Sequence, residues 1–301
     1  MEITDRIKQL KKSKDAVIMA HYYVPGEVQA VADYIGDSYY LSKVAETLRE
    51  RVIVFCGVSF MGESAKFLSP DKKVLMPDLC ADCPMAHMAD KETIQKMRDT
   101  YDDLAVVCYI NSTAELKQYA DVCVTSANAV KIVKALPQKY IFFIPDRNLA
   151  RYVAGQVPEK TFVYNEGFCP VHEEIRLEEV LEEKERHPEA LILAHPECRK
   201  EVLERSDFVG STSEILRYAS KSGSREFIVC TEEGVSYRLL RDNPEKTFYF
   251  PKTAPVCADM KLNTLEKLLH VLEYEDNEVH VPEALQRGAV KPLKKMLELA
   301  K

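Results

Sequence analysis

Cys83, Cys169 and Cys257 lie 86 and 88 residues apart, and the sequence around each recurs with the same period. Read in three rows, an apolar run ends on a polar residue at Ala20-His21, Ile110-Asn111 and Ala194-His195. An acidic residue then leads a short strand to a small hydroxyl at 33–38, 121–126 and 207–212. β-rich runs follow at 52–56, 140–144 and 227–231, and again at 73–76, 160–164 and 246–250, with a cysteine a few residues later. Landmarks sharing one period of roughly 87 residues describe a triplicated unit, too long for a solenoid and suited to three small domains with modest cores. Three equivalent thiols brought together about a pseudo-threefold axis would form a metal site.

Each unit alternates strand and helix. The stretch 16–20 is a continuous apolar run, short enough for a strand buried on both faces. The next one, 38–51, places Leu41, Val44, Ala45 and Leu48 at helical spacing. Such alternation predicts three homologous three-layer α/β/α domains with parallel sheets, at 1–102, 103–188 and 189–275. A strand-like run at 278–281 and a last helix at 291–301 make 276–301 an extension that packs back on the body.

Several classes are disfavoured. A net charge of −7 argues against a nucleic-acid surface. No stretch approaches the length of a membrane span, and residues 1–14 read as a charged amphipathic helix without the apolar centre of a signal peptide. The expected location is therefore the cytoplasm. There, nine cysteines are better read as metal-binding, reactive or buried thiols than as a disulfide framework.

Ligands of open parallel sheets bind beyond the carboxyl ends of the strands. Those ends carry His21, Asn111 and His195 after the first strands, and Ser38, Ser126, Ser211 and Thr212 after the second. A hydroxyl residue opening a helix marks an anion site, and three such corners suit a substrate with several carboxylates or a phosphate; plain N-capping is the simpler role for any one of them. Cys56, Cys108, Cys123 and Cys230 fall inside apolar runs and read as buried hydrophobes. Cys80 and Cys83 form a Cys-x-x-Cys pair, the spacing of a zinc ribbon or redox dithiol, but no second pair follows, and Cys83-Pro84 is the member matched by Cys169-Pro170. Three thiolates select zinc or an iron-sulfur cluster, with one metal position left open.

A family resemblance rests on Ala20-His-Tyr-Tyr23, Gly36-Asp-Ser38, Asp82-Cys-Pro-Met-Ala86, Tyr109-Ile-Asn-Ser-Thr113, Thr125-Ser-Ala-Asn128, Pro145-Asp-Arg-Asn148, Cys169-Pro-Val-His172, His195-Pro-Glu-Cys198, Val209-Gly-Ser-Thr212 and Asn263-Thr-Leu-Glu266. In this order, over nearly the whole chain, they resemble the A-type quinolinate synthases of NAD biosynthesis. The resemblance implies three domains around a [4Fe-4S] cluster held by Cys83, Cys169 and Cys257, with one open iron. It also implies condensation of iminoaspartate with dihydroxyacetone phosphate to quinolinate, with loss of phosphate and water, and functional coupling to an L-aspartate oxidase or dehydrogenase. Glu197 is the leading acid-base carboxylate, with a pKa expected to be raised by partial burial; Tyr23 and Tyr109 would donate or relay protons, and His172 would steer substrate or cluster. Some members carry Cys-x-x-Cys-x-x-Cys at the third ligand, whereas Cys257-Ala-Asp-Met260 has one thiol. A diphthamide-type cluster enzyme, an electron carrier and a zinc protein are the competing classes.

Overall fold

A computed structural model describes residues 2–301. Its body is three four-stranded sheets. The first holds β1 (Ala16–His21), β2 (Tyr34–Gly36), β3 (Val52–Cys56) and β4 (Lys73–Leu75); the second, β5 (Leu104–Tyr109), β6 (Val122–Val124), β7 (Tyr140–Ile144) and β8 (Thr161–Tyr164); the third, β9 (Leu191–Ala194), β10 (Phe208–Val209), β11 (Glu226–Cys230) and β12 (Thr247–Tyr249). All pairings are parallel, and the spatial order is second-first-third-fourth in each sheet. A helical segment follows every strand, so the chain is α/β as expected.

The inner strands form because their residues can be buried on both faces. β1, β3 and β5 are buried at every position, as continuous apolar runs of a helix-covered parallel sheet should be. One core runs through the first two sheets and the carboxy-terminal helices, while separate clusters cover the third sheet.

The acidic residue that recurs before each second strand has a structural task. Asp33, Asp121 and Asp207 accept the backbone N–H of Ile18, Val106 and Ile192 at 2.9, 2.7 and 2.8 Å. Their own N–H groups donate to the carbonyls of the same three residues at 2.9, 2.9 and 2.8 Å. Each aspartate thus closes the ladder where the short edge strand begins, which fixes the register that brings the strand ends level. Asp207→Ala leaves the Ile192 N–H unpaired and is expected to lower stability by about 1–3 kcal/mol, read from urea unfolding; an unchanged midpoint would remove the task.

The extension differs in detail from its sequence reading. Only Glu278 bridges to Leu75, and the Val279 N–H donates to Val74 O at 2.8 Å; Pro282 at the N-cap of the helix Glu283–Leu299 ends the pairing. That helix packs on β6 and on the helices Ser59–Leu68 and Ala114–Lys117. Leu265–Tyr274, the last helix of the third unit in sequence, packs on Ile3–Ser13 and β3 of the first. The amino-terminal helix is Ile3–Ser13, and Met1 lies outside the described residues. The helix expected over 38–51 stops at Thr47, because the chain must return to enter β3 at Val52.

Candidate active site

All three sheets deliver their strand ends to one cavity. Cys83, Cys169 and Cys257 line it, each at the N-cap of a short helical segment: Pro84–His87, Pro170–Glu173 and Ala258–Lys261. Burial pushes all three thiols up, Cys257 to about 11. They also oppose one another: Cys257 makes ionisation of Cys83 harder, and Cys83 that of Cys169. All three are free thiols. A soft cation would reverse this balance by stabilising the thiolates, so the donor set fits a metal centre. Cys169, His172 and Glu197 also bring one possible ligand atom each within 4.8 Å of the others.

Glu197 organises the polar wall. Its Oε2 lies 3.0 Å from His172 Nδ1 and 3.1 Å from His195 Nδ1. His172 Nδ1 is also 3.1 Å from Cys169 Sγ. A carboxylate only accepts, so His172 carries its proton on Nδ1, whereas His195 Nδ1 faces both that oxygen and the Glu197 N–H, which donates to it at 3.4 Å. His172 Nε2 then accepts from Thr231 Oγ1 at 2.9 Å, and Thr231 accepts from the Tyr23 hydroxyl, which accepts from Thr212 Oγ1, both at 2.8 Å. His195 Nε2 shares a hydrogen bond with Ser126 Oγ at 3.1 Å. The result is a directed line of donors from Thr212 to Glu197. Glu197 Oε1 and Asn111 Oδ1, both buried atoms, have no hydrogen-bond partner among the described residues and are free to meet a ligand.

The charge states follow from these contacts. Burial works to raise Glu197, but His195 and His172 outweigh it and hold the carboxyl well below its usual range. This corrects the expected upward shift: burial at 3% exposure comes with two imidazoles that a sequence cannot place. Burial, reinforced by His195, drives His21 down to about 3. Its Nδ1 accepts the Tyr23 N–H at 3.2 Å, leaving Nε2 as the protonated nitrogen of a neutral donor. Tyr23 and Tyr109 are pushed well above 10 by burial and then by the Glu197 charge, so both stay protonated.

The hydroxyl corners are less uniform than the repeat suggested. Ser38, Ser126 and Thr212 line the cavity, but none is the helix cap. Asp37 caps Ser38–Thr47 with its carboxylate, which already answers that helix's positive end. Asn128 holds the cap position of Ala129–Ala135. Ser211 is not a cavity residue: it forms a capping box with Glu214 at the start of Thr212–Lys221. Ser211→Ala is accordingly expected to cost about 1 kcal/mol of stability and leave substrate affinity alone, as thermal unfolding and KM will show. Cys80 is exposed, and Cys198 is buried against the Cys230 carbonyl at 3.3 Å; neither lines the cavity.

Residues 5–298 match the family model described as quinolinate synthetase A protein. The chain is 52% identical over 296 residues to the quinolinate synthase of Fusobacterium nucleatum, covering 98% of this chain and 99% of the relative. Identity to that of Caldicellulosiruptor saccharolyticus is 50% over 299 residues, with 99% of each chain covered. The chain belongs to the quinolinate synthase family. It is therefore an enzyme, and the cavity is its candidate active site. No helix among the described residues is long and apolar enough to cross a membrane.

Three buried residues of this quinolinate synthase family site escaped the sequence reading. Thr231 joins Tyr23 to His172; Asp146 and Glu232 accept the backbone N–H groups of Cys169 and Cys257. Asp146 and Glu232 follow the third strands of their units at matching positions, a signal present in the repeat. Thr231 has no such signal, because only the fold brings β1 and β11 together.

Proposed function

We propose that this enzyme makes quinolinate from iminoaspartate and dihydroxyacetone phosphate, releasing phosphate and water, for NAD biosynthesis. The observation that carries this reading is one cavity holding three thiols from three sheets beside a carboxylate wired to two imidazoles. Cys83, Cys169 and Cys257 would hold a [4Fe-4S] cluster, and three protein ligands leave one iron open. When bound, that cluster supplies a Lewis acid for a substrate hydroxyl or carboxylate oxygen, which assists dehydration without net redox change.

The chain's own residues do the rest. His21, Asn111, Ser38, Ser126, His195 and Thr212 give neutral hydrogen-bonding groups around the substrate carboxylates and phosphate. Glu197 Oε1 takes a proton from the carbon next to the imine, a carbon made acidic by conjugation with C=N. His172, donating to Oε2, and His195, 3.1 Å from the same oxygen, keep the other oxygen aimed at the cavity. The Tyr109 phenol stays protonated and donates to a carbonyl or leaving hydroxyl oxygen, while the Tyr23 phenol, its proton given to Thr231, relays protons along the line to His172. The cavity's burial excludes water, which would hydrolyse the imine.

An imine so exposed to hydrolysis calls for a nearby two-electron oxidation of aspartate, by an L-aspartate oxidase or dehydrogenase, in the same cytoplasm. Freshly generated iminoaspartate and dihydroxyacetone phosphate, given anaerobically to cluster-loaded protein, should yield quinolinate by chromatography. Loaded protein that consumes neither substrate would reject the reading.

A further inference from the structure

Asp146 and Glu232 occupy one position of the repeat. Ile144 and Cys230 each pair with the central strand of their sheet, opposite Cys108 and Ala194, and the two carboxylates come two residues later. Asp146 Oδ2 accepts the Cys169 N–H and Glu232 Oε1 the Cys257 N–H, both at 3.0 Å. Each side chain is wholly buried. Asp146 Oδ1 caps the helix Arg147–Gln156 through the Leu149 N–H at 2.6 Å, and Glu232 Oε2 takes the Gly234 N–H at 2.7 Å. Capping needs only one carboxylate oxygen. In both units the second oxygen goes to the ligand cysteine.

The first unit departs from the pattern. Cys56 there pairs with Ala20, and two residues on stands Val58, buried and without an acceptor. The difference separates the contact at this strand end from the requirements of the fold; in the first unit the carboxylate facing the cysteine N–H is that of the neighbouring Asp82 instead. Glu232 is also tied to the catalytic wall: Lys261 Nζ lies 2.7 Å from Glu232 Oε1 and donates to the Tyr23 carbonyl at 2.8 Å.

Two consequences follow for a metal held by these cysteines. Pinning the N–H fixes the backbone that aims each sulfur, as outer contacts do for other metal ligands. It also withholds that N–H from sulfur, and hydrogen bonds to sulfur and local charge are among the determinants of iron-sulfur potentials. We propose that Asp146 and Glu232 are a matched pair of positioning residues that aim Cys169 and Cys257 and keep the cluster in its oxidised charge state, suited to acid rather than electron-transfer chemistry. This rests on the cluster reading above.

The test compares Asp146→Val and Glu232→Val, which import the first unit's residue, with Asp146→Asn and Glu232→Gln, which keep one of the two acceptor oxygens and remove the ionisable carboxyl. Iron and sulfide content, iron loss to a chelator, and the midpoint potential are measured anaerobically on full-length protein, with Cys198→Ala as control. The valine variants should lose iron about tenfold faster than wild type and the control. The amide variants, whose one remaining oxygen can still meet the cysteine N–H, should lose iron more slowly than the valine variants and show a more positive potential. Wild-type loss rates in the valine variants, with unchanged potentials in the amide pair, would overturn the proposal. Should the valine variants fail to fold, the amide potentials decide: a positive shift supports the pair and no shift rejects it. Wild-type protein free of iron and sulfide sinks the cluster reading itself and this inference with it, whereas loaded wild type with indistinguishable variants sinks the inference alone.

Discussion

Alanine at Cys83, Cys169 or Cys257, one at a time, is expected to abolish cluster assembly, leaving anaerobically purified protein without iron, sulfide or visible colour. Each thiol would supply one third of the proposed cluster's protein ligation, and no other free cysteine among the described residues lines the cavity to replace it. Cys198→Ala and Cys230→Ala should keep their iron, because both thiols are buried outside the cavity, and the cost is confined to packing. Cys80 supplies the discriminating arm. Cluster loss on changing Cys80, with retention on changing Cys83, would transfer the ligand role to the exposed member of the pair.

Glu197→Gln should keep its full iron and lose turnover by about two to four orders of magnitude. The glutamine carbonyl oxygen can take the place of Oε2 between the two imidazoles, so the imidazoles and Cys169 stay where they are. What disappears is the basic Oε1. Quinolinate formation close to wild type would remove Glu197 from proton transfer. The same contacts set a pH dependence. Because His195 and His172 hold the folded-state pKa below the unfolded value, Glu197 contributes stability that is present above the ordinary carboxylate value and lost as pH falls through the depressed one. The base form therefore persists at any pH near neutrality. An acid limb of turnover above the usual carboxylate range would have to come from another group.

Much of this was legible because the repeat is a physical unit. A period shared by strands, a ladder-closing aspartate and a cysteine forces the same strand order three times and puts equivalent residues at equivalent strand ends. That logic located His21, Asn111, His195 and the three thiols. It failed where the copies differ in local chemistry. Asp37, rather than Ser38, caps its helix, and Ser211 spends its hydroxyl on a capping box, so a shared alignment did not mean a shared role. It failed too where a property depends on neighbours from other units. The charge of Glu197 is set by His172, which follows the cysteine of the second unit, and Thr231 acts by bridging Tyr23 of the first unit to that same histidine. Helices such as Leu265–Tyr274 carry no sign in their own apolar stripe of which sheet they will cover.

An iron anomalous map from an anaerobically grown crystal would settle whether three copies of one module feed a single centre. The expected result is one compact peak bonded to the sulfurs of Cys83, Cys169 and Cys257, with one edge facing Glu197 and free of protein ligands. Three thiols with no metal between them, or zinc scattering in place of iron, would contradict it.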